Sequence, residues 1–195
     1  MKILGKFPST RLRRVRNSDW VRRLVSENNL SANDLILPIF LTEGKNKKEK
    51  IKSMPGIYRY SLDKLSSILD EAEKFKIPMI ALFPNTSNHQ RDRNGSETLN
   101  ENNLVCRAIK LIKKKYNKFG VMTDVALDPY TSHGHDGIIL NGKIDNDETL
   151  KVLEKQAILQ ASVGSDVIAP SDMMDGRIGI IRKSLDKNKF KDTKI

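Results

Sequence analysis

A single cysteine in 195 residues, Cys106, excludes an internal disulfide and any cysteine-rich metal site. It falls in the amphipathic run 102–115, where a small core residue is expected. Long apolar runs are missing too. No stretch approaches the roughly 18 to 20 residues that cross a bilayer, and the N-terminus MKILGKFPSTRLRRVR has no apolar signal-peptide core. A soluble, cytoplasmic chain with no membrane partner is expected. Aromatic residues are only 6% of the chain and do not alternate with the basic ones. No helix-turn-helix, RNA-recognition or zinc-finger pattern stands beside the lysine clusters. The net charge of +11 therefore reads as a solvated lysine-rich surface, with no nucleic-acid partner. A glycine-rich phosphate loop is absent as well, since Gly176-Arg-Ile-Gly has no such spacing.

What is present suffices for a core, at 38% hydrophobic residues. Four aliphatic runs recur, at 35–41, 78–83, 119–125 and 165–170, and read as strands apolar on both faces. Helical spacing fills the gaps, at 61–75, 102–116, 148–163 and 177–185. Strand and helix in alternation require crossover connections, so the class is α/β with a parallel sheet. Periodicity leaves open whether that sheet is open or closed into a barrel. Ahead of the first strand, residues 18–28 suggest a short helix in which Trp20 and Leu24 pack. Arg11, Arg13, Arg14 and Arg16 form a dense stretch before it, suited to bidentate contacts on another subunit.

In parallel α/β architectures, functional groups gather where strands end at their carboxyl side. There the chain places Asp124 and Asp128 after the third run, and Ser171 and Asp172 after the fourth. Asp124 interrupts an apolar strand, where an unpaired carboxylate is costly, so it needs a partner or a task. The stretch DVALDPYTSHGHDG, 124–137, adds Asp128, His133, His135 and Asp136. Oxygen-rich ligands of this kind suit a hard cation such as Mg²⁺. The same residues are also turn chemistry, set by Pro129, Gly134 and Gly137, and spacing does not choose between the two. Ser171, Asp172 and Asp175 could cap the helix that follows them, or Ser171 could face a pocket. Met173 and Met174 are expected in the core, and His89 in a surface loop.

DVALDPYTSHGHDG and APSDMMDGR, with MPGIYRYS at 54–61, ALFP at 81–84 and DNDET at 145–149, resemble delta-aminolevulinic acid dehydratase, or porphobilinogen synthase. The likeness runs from RLRRVR to the last residue. It implies a (β/α)₈ TIM barrel, with residues 1–30 as an arm and short helix that wraps a neighbour in a homo-octamer. Residues 31–195 would be the first half of that barrel, about four βα units, truncated before the fifth strand. The count agrees, because a complete barrel takes about 250 residues. The family condenses two 5-aminolevulinate molecules into porphobilinogen and two waters, for tetrapyrrole (heme) synthesis.

By that resemblance Asp124 is an active-site carboxylate and Ser171 a pocket serine. Zinc-dependent members carry cysteines where this chain has Ala126, Asp128 and Asp136, so zinc at a three-cysteine site is not expected. Asp128 and Asp136 would instead hold Mg²⁺ or another hard cation. Two lysines form Schiff bases with the substrate ketones in this family, because an iminium carbon is the better electrophile. Neither Lys183 nor Lys194 matches them, so the chain is expected to lack turnover alone. The alternative reading is a short α/β binding or interaction module derived from the same barrel.

Overall fold

The computed structural model describes residues 5–195, which divide into two compact units between Asp34 and Leu35. In the first unit a short helix α1, Asp19–Leu24, carries its own ion pairs from Asp19 to Arg22 and Arg23. Trp20 and Leu24, expected to pack, are 63% and 76% exposed. Arg11, Arg13, Arg14 and Arg16 are exposed as well, with the Arg11 guanidinium 4.6 Å over the Phe7 ring.

The second unit is built on strands β1 (Ile36–Thr42), β2 (Lys48–Lys50), β3 (Tyr58–Tyr60), β4 (Met79–Asn85), β5 (Gly120–Val125), β6 (Ile138–Leu140), β7 (Lys143–Asp145) and β8 (Val167–Pro170). Six of them form one open sheet in the order β2-β3-β1-β4-β5-β8, parallel throughout except for β2 against β3. The helices α2 (Leu65–Lys74), α3 (Leu104–Lys115), α4 (Asn146–Ser162) and α5 (Arg177–Lys187) alternate with the parallel strands. This is the mixed α/β class with a mostly parallel sheet. At its far edge the chain returns beside β8, where the Ile168 amide donates to the Lys194 carbonyl at 2.9 Å and the Lys194 amide to the Asp166 carbonyl at 3.0 Å.

The four long strands stand where the apolar runs placed them, but they are not buried on both faces. In β5 the odd positions Val121, Thr123 and Val125 are buried, while Gly120, Met122 and Asp124 are half-exposed. The helices cover one face only, so the strands alternate as half-buried strands do. On that covered face, Ile39, Leu41, Ile80 and Leu82 pack with Leu69 of α2 and Ile109 and Ile112 of α3. Val125 and Ile168 pack with Leu153, Ala157, Ile181 and Leu185 of α4 and α5.

The run at 61–75 begins helically at Ser61, but that serine does not cap the backbone. Its hydroxyl donates to Asp63 at 2.8 Å and accepts from the Lys47 amide at 2.9 Å, tying the β1–β2 turn to the start of α2. True side-chain caps stand at Asn103, which accepts from the Cys106 amide, and at Asp145, which accepts from the Glu148 amide. The caps Ser171, Asp172 and Asp175 expected for α5 are replaced by Gly176, whose φ of +79° suits glycine. Two elements, the hairpin β6–β7 and the strand pair β2–β3, were not foreseen. The hairpin packs so tightly that a Cβ on Gly137 would meet Ile144 at 2.6 Å.

Candidate active site

Because Asp124 stands at an outward position of β5, it escapes the core and faces a cleft at the carboxyl ends of the parallel strands. That cleft holds ≈ 210 Å³ and is lined by Phe40, Arg59, Phe83, Pro84, Asn85, Asp124, Asp128 and Pro129. Phe40 and Phe83 form its apolar floor, with ring centroids 5.6 Å apart. Asp124 and Asp128 supply the negative charge, and Arg59 the positive.

Ser171 follows directly on β8, the neighbour of β5, and its hydroxyl donates to Asp124 Oδ1 at 2.6 Å. The partner that a strand carboxylate required is thus the serine. Burial pushes the Asp124 carboxyl above its usual value; the Ser171 bond opposes that shift, and the charges of Asp136 and Asp172 add to it. Asp128 is pushed up to about 6, by burial first and then by the charges of Asp136 and Asp124. The geometry therefore assembles carboxylates whose protons are held tightly, a condition suited to proton transfer near neutral pH.

Asp172 points away from the cleft. Its side chain is buried, accepts from the Met174 amide at 2.7 Å and lies 3.3 Å from the Arg177 guanidinium. Burial nonetheless outweighs these contacts and raises its pKa. These bonds fix the turn that carries Ser171. Met174 is buried at 2% exposure, whereas Met173 stands 62% exposed, so only one of the two methionines joins the core.

His133 and His135 turn into their own loop. His133 Nε2 lies 3.2 Å from the Arg93 carbonyl, and its Nδ1 accepts from the His135 amide at 3.2 Å. His135 Nδ1 accepts from the Gly137 amide at 3.1 Å. These bonds carry out the turn reading of the stretch. His89 sits in a short exposed turn beside Ser87. Among the described residues, no group of three or more His, Cys, Asp or Glu is close enough to hold a metal ion. Cys106 is buried on α3, where burial pushes its thiol up to about 11, so it offers no thiolate.

Several residues of the cleft were not among the candidate site residues, although Arg59 lies in the stretch MPGIYRYS and Phe83 in ALFP. Phe40, Phe83 and Asn85 reach the cleft from β1 and β4, and Arg59 from the short strand β3, which no apolar run marks. Gln156 and Gln160 are buried on α4 and hold the backbone under the site. The Gln160 amide donates to the Asp124 carbonyl at 2.8 Å and its oxygen accepts from Thr123 Oγ1 at 2.8 Å. Gln156 donates to the Ala126 carbonyl at 3.3 Å. The signal that could have found them is the pair of glutamines four residues apart on the face that should be apolar.

Known proteins share this sequence and fold. The family model for delta-aminolevulinic acid dehydratase matches residues 9–195. The delta-aminolevulinic acid dehydratase of Bradyrhizobium diazoefficiens is 54% identical over 185 residues, covering 95% of this chain and 52% of the relative. That of Chlamydia pneumoniae is 43% identical over 187 residues, covering 96% of this chain and 56% of the relative. The crystal structure of the Toxoplasma gondii enzyme in complex with the reaction product porphobilinogen superposes with a TM-score of 0.89 at 40% identity, covering 94% of this chain and 52% of that one. The chain thus spans about half the length of the curated relatives it matches. With the family model matched over nearly all its residues, the chain belongs to the delta-aminolevulinic acid dehydratase family.

Proposed function

We propose that the chain forms the first half of a (β/α)₈ barrel and supplies the carboxylate side of a porphobilinogen synthase active site. The observation that carries this is the Ser171 hydroxyl bound to Asp124 at 2.6 Å on the rim of a cleft that also holds Asp128. The reaction joins two 5-aminolevulinate molecules and expels two waters, so groups must take protons from carbon and nitrogen and return them to departing oxygen. Asp124, with its raised pKa, can hold and return such a proton. Ser171 orients that carboxylate by fixing one of its oxygens. Phe40 and Phe83 exclude water from the floor.

Among the described residues, no lysine lines the cleft. Lys183 lies on α5 and Lys194 bridges to the edge of β8, so neither is placed for imine formation. Binding and proton handling, without turnover, are therefore the proposed capacities of these residues. This is favoured over the interaction-module alternative because the carboxylates converge on a cleft and the match to the dehydratases extends across both units.

The donor set fits a hard cation. Asp128 and Asp136 stand where zinc-dependent relatives are expected to have thiolates, and the charge of Asp136 raises the pKa of Asp128. Mg²⁺ held by these two carboxylates, with water completing its shell, would supply the positive charge that relieves their repulsion. Assembly into a homo-octamer through the arm is proposed on the same family basis, supported by the exposed apolar side chains of the first unit.

The test is a chimaera joining this chain to the carboxyl-terminal portion of the Bradyrhizobium relative. It is expected to form porphobilinogen, to lose about 10²-fold or more in kcat on Asp124→Asn, and to surpass the 195-residue chain, which is expected to form none. Porphobilinogen from the chain alone, or full activity in the Asp124→Asn chimaera, would overturn the proposal.

A further inference from the structure

On one side of β5 the backbone ladder stops where the Asp124 carboxylate stands. The even residues of this strand turn their amides and carbonyls toward β4, since the Gly120 amide donates to the Pro78 carbonyl at 2.8 Å and the direction repeats every second residue. Carried along the register from Met79↔Gly120 to Leu82↔Thr123, the donor due to the Asp124 carbonyl is the amide of residue 84. Residue 84 is proline and has no N–H. The pairing of β4 with β5 accordingly ends at Leu82 and Thr123, although β4 itself continues to Asn85. On its other side β5 stays paired with β8 as far as Val125 and Pro170.

A helix supplies the donor instead. The side-chain amide of Gln160 on α4 donates to the Asp124 carbonyl at 2.8 Å, and its oxygen accepts from Thr123 Oγ1 at 2.8 Å. Thr123 Oγ1 lies 2.8 Å from Ser165 Oγ, which reaches the Val121 carbonyl at 3.3 Å and the Val167 carbonyl at 3.1 Å. All three side chains are buried. Buried amides are costly unless their polar atoms are used, and in Gln160 the nitrogen and the oxygen both are. One turn earlier, Gln156 leaves its Oε1 without a partner. The fully engaged glutamine therefore stands behind the one strand residue whose side chain meets Ser171 across the β5 and β8 pair.

We propose that Gln160 is a positioning residue for the reaction: it replaces the ladder donor that Pro84 cannot give, and so holds the Asp124 backbone where its carboxylate meets Ser171. A hydrogen bond is directional and apolar burial is not, so the polar contact fixes the strand where the surrounding core only covers it. Gln160 acts through Asp124 and touches no substrate. This assignment rests on the reading of Asp124 given under Proposed function.

Two readouts test it. Three-bond NMR couplings from the Asp124 backbone to its carboxyl carbon, measured on the 195-residue chain, report whether that side chain keeps one χ1 rotamer. The chimaera described above gives kcat and KM. One rotamer is expected in the unsubstituted chain, and averaging between rotamers in Gln160→Met. In the chimaera Gln160→Met should lower kcat about 10- to 100-fold while KM stays within about twofold. Adding Pro84→Ala, which gives position 84 an N–H, should restore the single rotamer. Thr123→Val combined with Gln160→Met removes both ends of the buried bond and keeps the interface apolar, so it serves where Gln160→Met alone folds poorly. Ile181→Val trims the core that α5 shares with β5 and should lower stability without moving either readout. A single Asp124 rotamer in both Gln160 variants, equal averaging in Ile181→Val, or no recovery on adding Pro84→Ala would overturn the proposal. An Asp124→Asn chimaera with full activity would overturn the reading under Proposed function instead, and the couplings in the 195-residue chain would still decide whether Gln160 holds the side chain.

Discussion

Asp128 is exposed as a residue at the cleft mouth, but its carboxyl is partly screened from water and has carboxylates for neighbours, and it is pushed up to about 6, first by that desolvation and then by the charges of Asp136 and Asp124. Its folded pKa lies above the unfolded value, so the folded state binds the proton more tightly. Stability contributed by the protonated form is then present below about pH 4 and lost as pH rises through about 6. In metal-free buffer, Asp128→Asn is expected to raise Tm at pH 7.5 by a few degrees and to leave it unchanged at pH 4. Melts at the two pH values decide it; an equal shift at both would show that charge is not the cause. The effect is kept small because solvent screens an exposed carboxyl. Ser171 acts in the opposite sense on Asp124. Its bond favours the ionised carboxylate, so Ser171→Ala should raise the Asp124 pKa further, read by carboxyl carbon NMR titration. An unchanged midpoint would deny the serine its orienting role.

At the scale of the element, β5 is held in place by α4 through polar contacts inside an otherwise apolar interface. Gln160 closes a buried set with Thr123, Ser165 and the Asp124 carbonyl, so replacing it strands several polar atoms at once. Gln160→Leu, similar in size, is expected to cost about 1–3 kcal/mol. Gln156→Leu should cost less, since its Oε1 already lacks a partner. Denaturant midpoints of the two variants give the comparison, and an equal loss would refute it. These contacts also show where sequence reading stops. Apolar spacing located α4 within two residues of its start at Asn146, because most of its buried face is Leu and Ala. Glutamine on that face carries no distinctive period, so its bonds appear only when the strand carbonyls are in place. The strand Tyr58–Tyr60 leaves no periodic signal for a related reason, being three residues long and stabilised by its pairing with β1. Asp124 was legible because a carboxylate in an apolar run demands a partner; that the partner is Ser171 depends on β5 and β8 being adjacent, which no local pattern states.

For the whole molecule, every residue of the two apolar cores lies in the second unit, after Leu35. The first unit instead displays Phe7, Leu12, Trp20, Leu24 and Leu30, each more than 60% exposed. Exposed apolar groups of that size lower their free energy by about 25 cal/mol for each Å² of apolar surface taken from water, so a partner surface would be favoured. The class and the parallel sheet followed from alternating apolar runs, but exposure of Trp20 and Leu24 did not, because helical spacing is the same whether a face meets its own core or another chain. Trp20 is the only tryptophan, which makes it a reporter of that difference. If the arm docks on a second copy, Trp20 emission should be solvent-like in dilute solution and shift to the blue as concentration rises, in step with the mass seen by analytical ultracentrifugation. Leu24→Asp should abolish both changes while leaving the thermal melt of the second unit within about 2 °C, since no core residue is touched. Association that persists in Leu24→Asp, or proceeds with no change in Trp20 emission, would place the contact elsewhere, at the exposed sheet edges where unpaired backbone groups also invite a partner.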